Sequence, residues 1–144
     1  MRAHLLTRVG QERFAFLLDR VVEAVDAPVL HDPPRRPDGM LGTLRHRGQT
    51  LPVWDAGHAF GIRRTGATGT ALVLGDAGWQ LALLVDDAED IMQVDDHAVR
   101  VLPAMGDGES LLVGVVQDAK GLVNVVRVDV LVARLASRGA RRVE

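Results

Sequence analysis

The side chains of this sequence that could bind a metal ion or move protons include five histidines. Histidines that share a metal ion often stand in a local pattern such as H-E-x-x-H. None of His4, His31, His46, His58 and His97 belongs to such a pattern, and no two have helical ligand spacing. We therefore expect no metal site, and we expect nearly all of these histidines to lie on the surface.

A run of carboxylates that begins at Asp86 is the second chemical candidate. A calcium loop needs oxygen ligands at alternate positions and a glycine at its bend. Ile91, Met92 and Val94 interrupt this run, and it contains no glycine. The run therefore indicates a solvated strand edge. An enzyme that uses Asp86 and Asp90 with a histidine is the least favoured alternative.

Nucleophilic catalysis and phosphate binding also lack their sequence signatures. Ser110 and Ser137 are the only serines, and neither lies in a G-x-S-x-G turn. The sequence has no G-x-x-x-x-G-K-[ST] loop and no G-x-G-x-x-G loop. It also has no cysteine, which excludes thiolate chemistry and Cys-ligated zinc. We expect no catalytic residue and no cofactor.

The composition is typical of one globular domain. The chain has 144 residues, of which 47% are hydrophobic, and its formal net charge is -2. Nucleic-acid binding would favour a basic field with aromatic side chains, and here aromatics are only 3%. No apolar run approaches the length of about 18 residues that spans a bilayer, and no signal peptide is apparent. The expectation is a cytoplasmic protein without membrane insertion.

Short apolar segments that alternate with turn residues predict about ten β-strands, an arrangement typical of a β-barrel or sandwich. A short helix is predicted at the C-terminus, with Asp129 as its N-cap. The most distinctive hairpin covers residues 40–55, where a basic corner at residues 45–48 joins two apolar segments. Pro52 cannot donate a ladder hydrogen bond, so this pattern predicts an edge hairpin with a solvent-facing tip.

The two halves of the sequence resemble each other. Residues 14–25 align with residues 81–92 at a constant offset of 67, since Ala15 falls on Ala82 (82 minus 15). In the following segments Gly42 falls on Gly114. This pattern predicts a duplicated strand-rich unit with a groove between the halves. Simple alternation, which many β proteins share, is the other explanation.

By elimination, the chain is expected to bind another protein. The polar features at otherwise apolar strand positions are the basic corner at residues 45–47 and the acid Glu23. Arginine suits interfaces because its planar guanidinium pairs with two acceptors and is weakly hydrated. Solvated strand ends are an equally favoured interpretation of the same residues.

Around the basic corner the chain resembles the CheW-like domain, the adaptor fold of bacterial chemotaxis. The family pattern is a glycine, a short strand, Arg-Gly, and a strand that ends Pro-x-x-Asp. Here the matching residues are Gly42, Arg47, Gly48, Pro52 and Asp55. The segments VGQERFAFLLDRVVEAV, LALLVDDAEDIMQV and LLVGVVQDAKGLVNVVRVDVLV resemble the family's opening, central and closing strands.

The resemblance implies an all-β fold of two five-stranded, SH3-like β-barrel subdomains around a shared core, with a short C-terminal helix. It implies one CheW-like domain over residues 1–144, with a first barrel near 12–66 and a second near 71–128. The terminal segments would pack across the barrels. The structural motif consists of Gly42, Pro52, Asp55, Asp86 and Gly114.

The resemblance also implies a scaffold without catalysis. Adaptors of this family connect the cytoplasmic tip of a methyl-accepting chemoreceptor with the regulatory domain of the histidine kinase CheA, at membrane receptor arrays. The family's receptor-facing groove contains the arginine of the Arg-Gly corner and a glutamate of an early strand. By position, the corresponding residues are Arg47 with Gly48, and Glu23 with Val21.

The chain departs from the family pattern at several positions. Arg45 and His46 stand where the family usually has Asn-Leu, and Arg127 replaces the aspartate that often ends the closing strand. Trp54 replaces a smaller aliphatic residue. These departures leave an alternative open, namely a binding module that sequesters or regulates another signalling partner in a non-flagellar pathway such as that of a type IV pilus.

Overall fold

The computed structural model describes residues 1–101, 110–139 and 141–142. Most of these residues belong to β-strands, as the sequence predicts. In chain order, the strands are β1 (Arg2–Val9), β2 (Glu12–Leu17), β3 (Val21–Asp26), β4 (Met40–His46), β5 (Gln49–Asp55), β6 (Thr70–Asp76), β7 (Trp79–Val85), β8 (Asp87–Val94), β9 (Arg100–Val101), β10 (Leu112–Asp118), β11 (Gly121–Val126) and β12 (Arg141–Arg142). The helices are α1 (Ala56–Phe60) and α2 (Val128–Gly139).

The strands form two sheets. One has the order β8-β1-β2-β11-β10-β9, and the other has the order β3-β6-β7-β5-β4, with β12 paired to β7. We call them the first and the second sheet. Most neighbouring strands are antiparallel, but β2 pairs with β11 in parallel and β5 pairs with β7 in parallel. These two parallel pairs connect the N-terminal and C-terminal halves of the chain.

The strand orders of the two sheets are related by the internal repeat. When β1 to β5 are matched in turn with β6, β7, β8, β10 and β11, five strands of each sheet have the same order. The pairing also follows the alignment of Ala15 with Ala82, because Ala15 pairs with Val125 and Ala82 pairs with Val53 at equivalent parallel contacts. The similarity of the two halves therefore extends to their three-dimensional arrangement.

Each sheet combines strands from both halves of the chain. The hairpin of β1 and β2 joins β8 to β11, whereas the hairpin of β6 and β7 joins β3 to β5. This exchange differs from the expected barrels near 12–66 and 71–128, in which each barrel is one continuous stretch of chain. The parallel pairs are the physical reason, since a parallel partner cannot follow directly through a tight turn.

The main hydrophobic core lies between the sheets and α2. Phe16 of β2, Leu72 and Leu83 of the second sheet, and Leu131 of α2 belong to one buried cluster. On β6, alternate residues face this cluster, while Val73 faces a smaller cluster within the second sheet. The strand is therefore buried on both faces, which explains its continuous apolar sequence.

The C-terminal helix α2 begins at Val128, one residue before the predicted N-cap. Asp129 lies in its first turn, where a carboxylate interacts favourably with the helix dipole. Leu131, Val132 and Leu135 are buried against the shared core at helical spacing. The short helix expected from the sequence is thus present, and its apolar face fixes the position of both sheets.

The hairpin of β4 and β5 lies at the edge of the second sheet with an exposed tip, as predicted, but its proline is not on the edge strand. Only β4 lies at the edge of the second sheet, because β5 stands between β4 and β7. Pro52 is buried, and it pairs with Thr43 of β4. The pairing of β5 with β7 begins at the next residue, Val53. The proline therefore lies just outside the segment of β5 that has neighbours on both sides.

Arg13 and Asp118 join β2 to the end of β10 by two short hydrogen bonds. The guanidinium nitrogens of Arg13 donate to the carboxylate oxygens of Asp118 at 2.6 and 2.7 Å. This hydrogen bonding lowers the pKa of Asp118 to about 2. The pair is partly buried, and it connects strands from the two halves within the first sheet.

Gly114 provides a test of how closely the strands pack. A Cβ atom at this position would lie 2.1 Å from the carbonyl oxygen of Arg100, so β9 would have to move. We expect Gly114→Ala to lower the free energy of unfolding by about 1–3 kcal/mol, as overpacking does. Urea denaturation would measure the change as a shift of the midpoint, with the slope of the unfolding free energy against urea concentration unchanged.

Gly75→Ala is the matched control, since a Cβ there would lie 3.4 Å from Val22 Cγ2, an ordinary contact. Its stability should stay close to that of the wild type. Equal effects of the two substitutions would show that the close approach at Gly114 does not determine the cost.

Candidate partner-binding site

The turn between β4 and β5 presents Arg47 and Gly48 to solvent. Both residues have positive φ angles, 50° and 78°. Two consecutive positive φ angles define a type I′ turn, whose twist matches that of the adjoining strands. The turn between β6 and β7 has the same geometry at Ala77 and Gly78, with φ angles of 51° and 83°. Arg47 therefore occupies a position that usually favours asparagine or glycine.

The charges of this turn point outward. Arg45 is exposed, and its Nη1 donates to Thr50 Oγ1 at 3.2 Å across the hairpin. Arg47 is also exposed, and within the described residues it makes no hydrogen bond or ion pair. An exposed guanidinium without an internal partner can donate to a carboxylate or carbonyl oxygen of another protein without first breaking an internal contact.

Glu23 of β3 lies beside the same hairpin. Its Oε2 is 3.0 Å from Nε2 of His46, the residue that precedes Arg47. The imidazole is 6% exposed and the glutamate side chain 46% exposed. The pair lacks the geometry of a hydrogen bond, and the buried Nε2 has no hydrogen-bond partner among the described residues. Glu23 thus keeps one side open to solvent.

The contact between Glu23 and His46 shows that the second sheet is curled. In a flat sheet of five strands, the edge strands would be about 19 Å apart, which is four inter-strand spacings. These edge strands are β3 and β4, and the side chains of Glu23 and His46 connect them. A backbone bridge between His31 and Thr43 closes the same seam. The N–H of His31 donates to the carbonyl of Thr43 at 2.9 Å, and the N–H of Thr43 donates to the carbonyl of His31 at 2.8 Å.

Val21 starts β3 and is partly buried against the main core. It pairs with Leu74, while Glu23 pairs with Val73, so Val22 is an extra residue at a β-bulge. The bulge permits Val21 to contact the core while Glu23 reaches His46. The structure therefore brings Glu23 next to the hairpin of Arg47 and Gly48, and it places Val21 at the start of the same strand.

Gly42 allows the chain to pass close to β4. A Cβ at this residue would lie 2.8 Å from the carbonyl oxygen of His31, which accepts the N–H of Thr43. Gly114 stands at the equivalent place in the β10 and β11 hairpin, beside the carbonyl of Arg100. Each glycine follows a bulge in its hairpin.

Asp55 ends β5 and begins α1. Its Oδ1 accepts the N–H of Gly57 at 2.9 Å, which caps the helix, and it accepts Nε of Arg64 at 2.7 Å. The final aspartate of the Arg-Gly hairpin motif therefore orients the segment that leads into the second half of the chain.

Asp86 holds that connecting segment against the turn between β1 and β2. Its carboxylate accepts backbone N–H groups of Gly10 at 2.7 Å, Thr65 at 3.0 Å and Gly66 at 3.1 Å. The side chain is only 2% exposed. Burial alone would raise the pKa of Asp86, but the three backbone donors outweigh it, aided by Arg64, so the pKa lies below its ordinary value. The residue is a structural anchor of the linker.

The prediction that nearly all histidines lie on the surface is wrong for two of the five. His4 and His46 are 3% and 7% exposed, whereas His31, His58 and His97 are exposed. Each buried histidine stands two residues from another buried residue of its strand, Leu6 or Leu44. The period-2 alternation of β-strands could have placed both on inward faces.

The described residues include no group of three or more histidine and acidic side chains that could hold a metal ion. No helix in the described part of the chain is long and apolar enough to cross a bilayer.

Comparison with known proteins defines the class to which this fold belongs. The fold is similar to that of the scaffolding protein TtCheW from Thermoanaerobacter tengcongensis. The two share 18% sequence identity, the match covers 88% of each chain, and the TM-score is 0.77. None of the curated proteins compared with the chain matches it.

The sequence model of the CheW-like domain matches residues 3–136. The chain therefore belongs to the CheW-like domain family, which is a family of scaffolds without catalysis.

The buried carboxylate of Asp86 gives the stability a defined pH dependence. Its pKa is lower in the folded state than the value of about 3.9 in an unfolded chain. The carboxylate therefore stabilises the fold above that value, and its contribution is lost as the pH falls through the folded pKa. We expect Asp86→Asn to lower the free energy of unfolding at pH 7 by about 1–3 kcal/mol.

Denaturant titrations at pH 7 and pH 3 would measure this effect. The difference between wild type and Asp86→Asn should shrink at the lower pH. The exposed neighbour Asp87 provides the control, because Asp87→Asn removes the same charge without a buried partner. A difference of equal size at both pH values would show that the charge of Asp86 does not stabilise the linker.

Proposed function

We propose that this protein is a non-catalytic adaptor that couples chemoreceptors to a CheA-type histidine kinase in a chemosensory array. One observation carries the proposal: the exposed Arg47, which has no ion pair among the described residues, stands on a type I′ turn, and Oε2 of Glu23 lies 3.0 Å from Nε2 of its buried neighbour His46. Membership of the CheW-like family supports the same role. Such an adaptor would work in the cytoplasm, recruited to membrane receptor arrays.

The receptor-binding residues in this proposal are Arg47, Gly48, Glu23 and Val21. The chemistry suits a helical receptor tip that carries both polar and apolar side chains. Arg47 can pair with a carboxylate or a carbonyl of the partner. The exposed side of Glu23 can accept a donor, while the partly buried Val21 adds apolar surface. A helix laid in a groove by its apolar face is a common mode of recognition.

The kinase partner would be the regulatory domain of CheA, which in this proposal binds a surface separate from the Arg47 turn. The turn between β10 and β11, which carries Lys120 and Gly121, occupies the equivalent position in the first sheet. That turn provides a control for any effect at Arg47, since the two hairpins are related by the internal repeat.

A binding experiment with a receptor tip tests the role of Arg47. Arg47→Asn removes the charge and keeps a residue that favours a type I′ turn. We expect this variant to bind a receptor cytoplasmic fragment about tenfold more weakly, a loss of about 1.4 kcal/mol. Its stability should change by less than about 0.5 kcal/mol, since the side chain is exposed. Calorimetric titration and thermal unfolding would measure both quantities.

Glu23→Gln should also weaken receptor binding while keeping an oxygen near His46. The control Lys120→Asn removes a cation from the equivalent turn and should leave receptor affinity unchanged. If Arg47→Asn and Lys120→Asn have the same effect, the loss reflects total charge rather than a site. If the wild type binds neither receptor nor kinase domain, the coupling function is wrong.

A further inference from the structure

The first sheet contains a cavity that the hairpin site does not use. It has a volume of about 430 Å³ and lies where β1, β2, β9, β10 and β11 meet the start of α2. Sites for small molecules typically have volumes of about 300–1,000 Å³. The Arg47 hairpin belongs to the other sheet, so a ligand in this cavity would be separate from the receptor site.

One part of the cavity wall is aliphatic. Leu17 of β2, Val113 of β10, and Val125 and Val126 of β11 line it, and Val99 completes this surface. Val125 and Val126 are buried, and the others are partly buried. A wall of branched aliphatic side chains favours an apolar body over a hydrated ion.

The charged part of the wall contains three arginines, two of which have acidic partners. Arg2 Nη2 lies 3.4 Å from Asp96 Oδ1, and Arg20 Nε lies 2.9 Å from Asp76 Oδ1. The third, Arg127, is partly buried, and it has no ion pair within the described residues. Among the described residues, Arg127 is therefore the one cation of this wall without an acidic partner.

The backbone of Arg127 is fixed on both sides. Its N–H donates to the carbonyl of Leu111 at 2.7 Å, and its carbonyl accepts the N–H of Leu131 at 3.0 Å. The residue immediately precedes α2, whose N-terminal dipole adds to the positive potential. Asp129 also borders the cavity, but it is exposed and within the described chain forms no ion pair with Arg127.

The buried His4 adds no second positive charge. Burial lowers the pKa of its imidazole, so the ring is neutral at pH 7. Its Nδ1 lies 3.0 Å from the carbonyl oxygen of Arg2 and, in the neutral ring, donates to it. Arg127 therefore differs from Arg2 and Arg20 in that no acidic side chain of the described residues neutralises it, which suits it to an anionic ligand.

We propose that the cavity binds a small carboxylate with an apolar body. Arg127 would take the carboxylate through paired N–H donors, a geometry that matches a guanidinium. The aliphatic wall of Val113, Val125 and Val126 would take the apolar body. This inference goes beyond the adaptor function and does not depend on it, since the ligand would occupy the first sheet rather than the receptor site.

Calorimetric titration of the full chain tests the proposal with phenylacetate and hexanoate. The neutral phenylacetamide and the short anion acetate serve as comparisons. We expect at least one of the larger carboxylates to bind and to raise the melting temperature. Phenylacetamide and acetate should bind about tenfold more weakly or worse, because each lacks either the charge or the apolar body.

Two variants locate the binding. Arg127→Gln should weaken carboxylate affinity about tenfold or more, whereas Arg35→Gln, at an exposed loop position, should leave it unchanged. Val113→Phe should block the cavity without a change in charge, so it remains informative if Arg127→Gln fails to fold. The proposal is wrong if the wild type binds neither phenylacetate nor hexanoate. It is equally wrong if Val113→Phe binds as the wild type does.

Discussion

The two parallel strand pairs, β2 with β11 and β5 with β7, are the constraint on which the rest of the structure depends. Each pair adds a hairpin from one half of the chain to strands from the other half. Neither half can therefore complete a sheet alone, and the core between the sheets requires both. Helix α2 packs against this shared core through Leu131, Val132 and Leu135. Such long-range pairings have a large entropic cost of loop closure, and the burial of apolar side chains that they make possible offsets this cost.

The candidate site is a consequence of the same arrangement. Because β5 pairs with β7, its hairpin partner β4 becomes the edge of the second sheet. The curl of that sheet then brings β4 to β3, and Glu23 meets His46 across the seam. Arg47 is left on a turn that is fixed by its neighbours but makes no internal contact within the described residues. A rigid support with free donors at its tip is suited to recognition, whereas catalysis would need a nucleophile or a convergent acid and base.

Glycines and carboxylates have complementary structural roles in this fold. Gly42 and Gly114 permit close approaches of backbone where a side chain could not fit. Asp55 and Asp86 accept backbone N–H groups at the two ends of the segment that connects the halves. The lowered pKa of Asp86 reflects this role, since the carboxylate is buried but fully supplied with donors. Charge at these positions serves the architecture, whereas Arg47 and Arg127 have no acidic partner among the described residues and are the cations that the two proposals assign to ligands.

The sequence by itself determined the strand-rich character, the repeat, the Arg-Gly hairpin and the helix at the C-terminus, because alternation and turn residues are local properties. It also indicated Arg47 and Glu23, through the resemblance to the family. Only the tertiary structure decided which hairpin joins which sheet, that Pro52 is buried on β5 just before this strand pairs with β7, and that the buried His46 lies next to Glu23. These outcomes depend on contacts between residues far apart in the chain, and no local pattern of residue types records which of the possible partners a strand will meet.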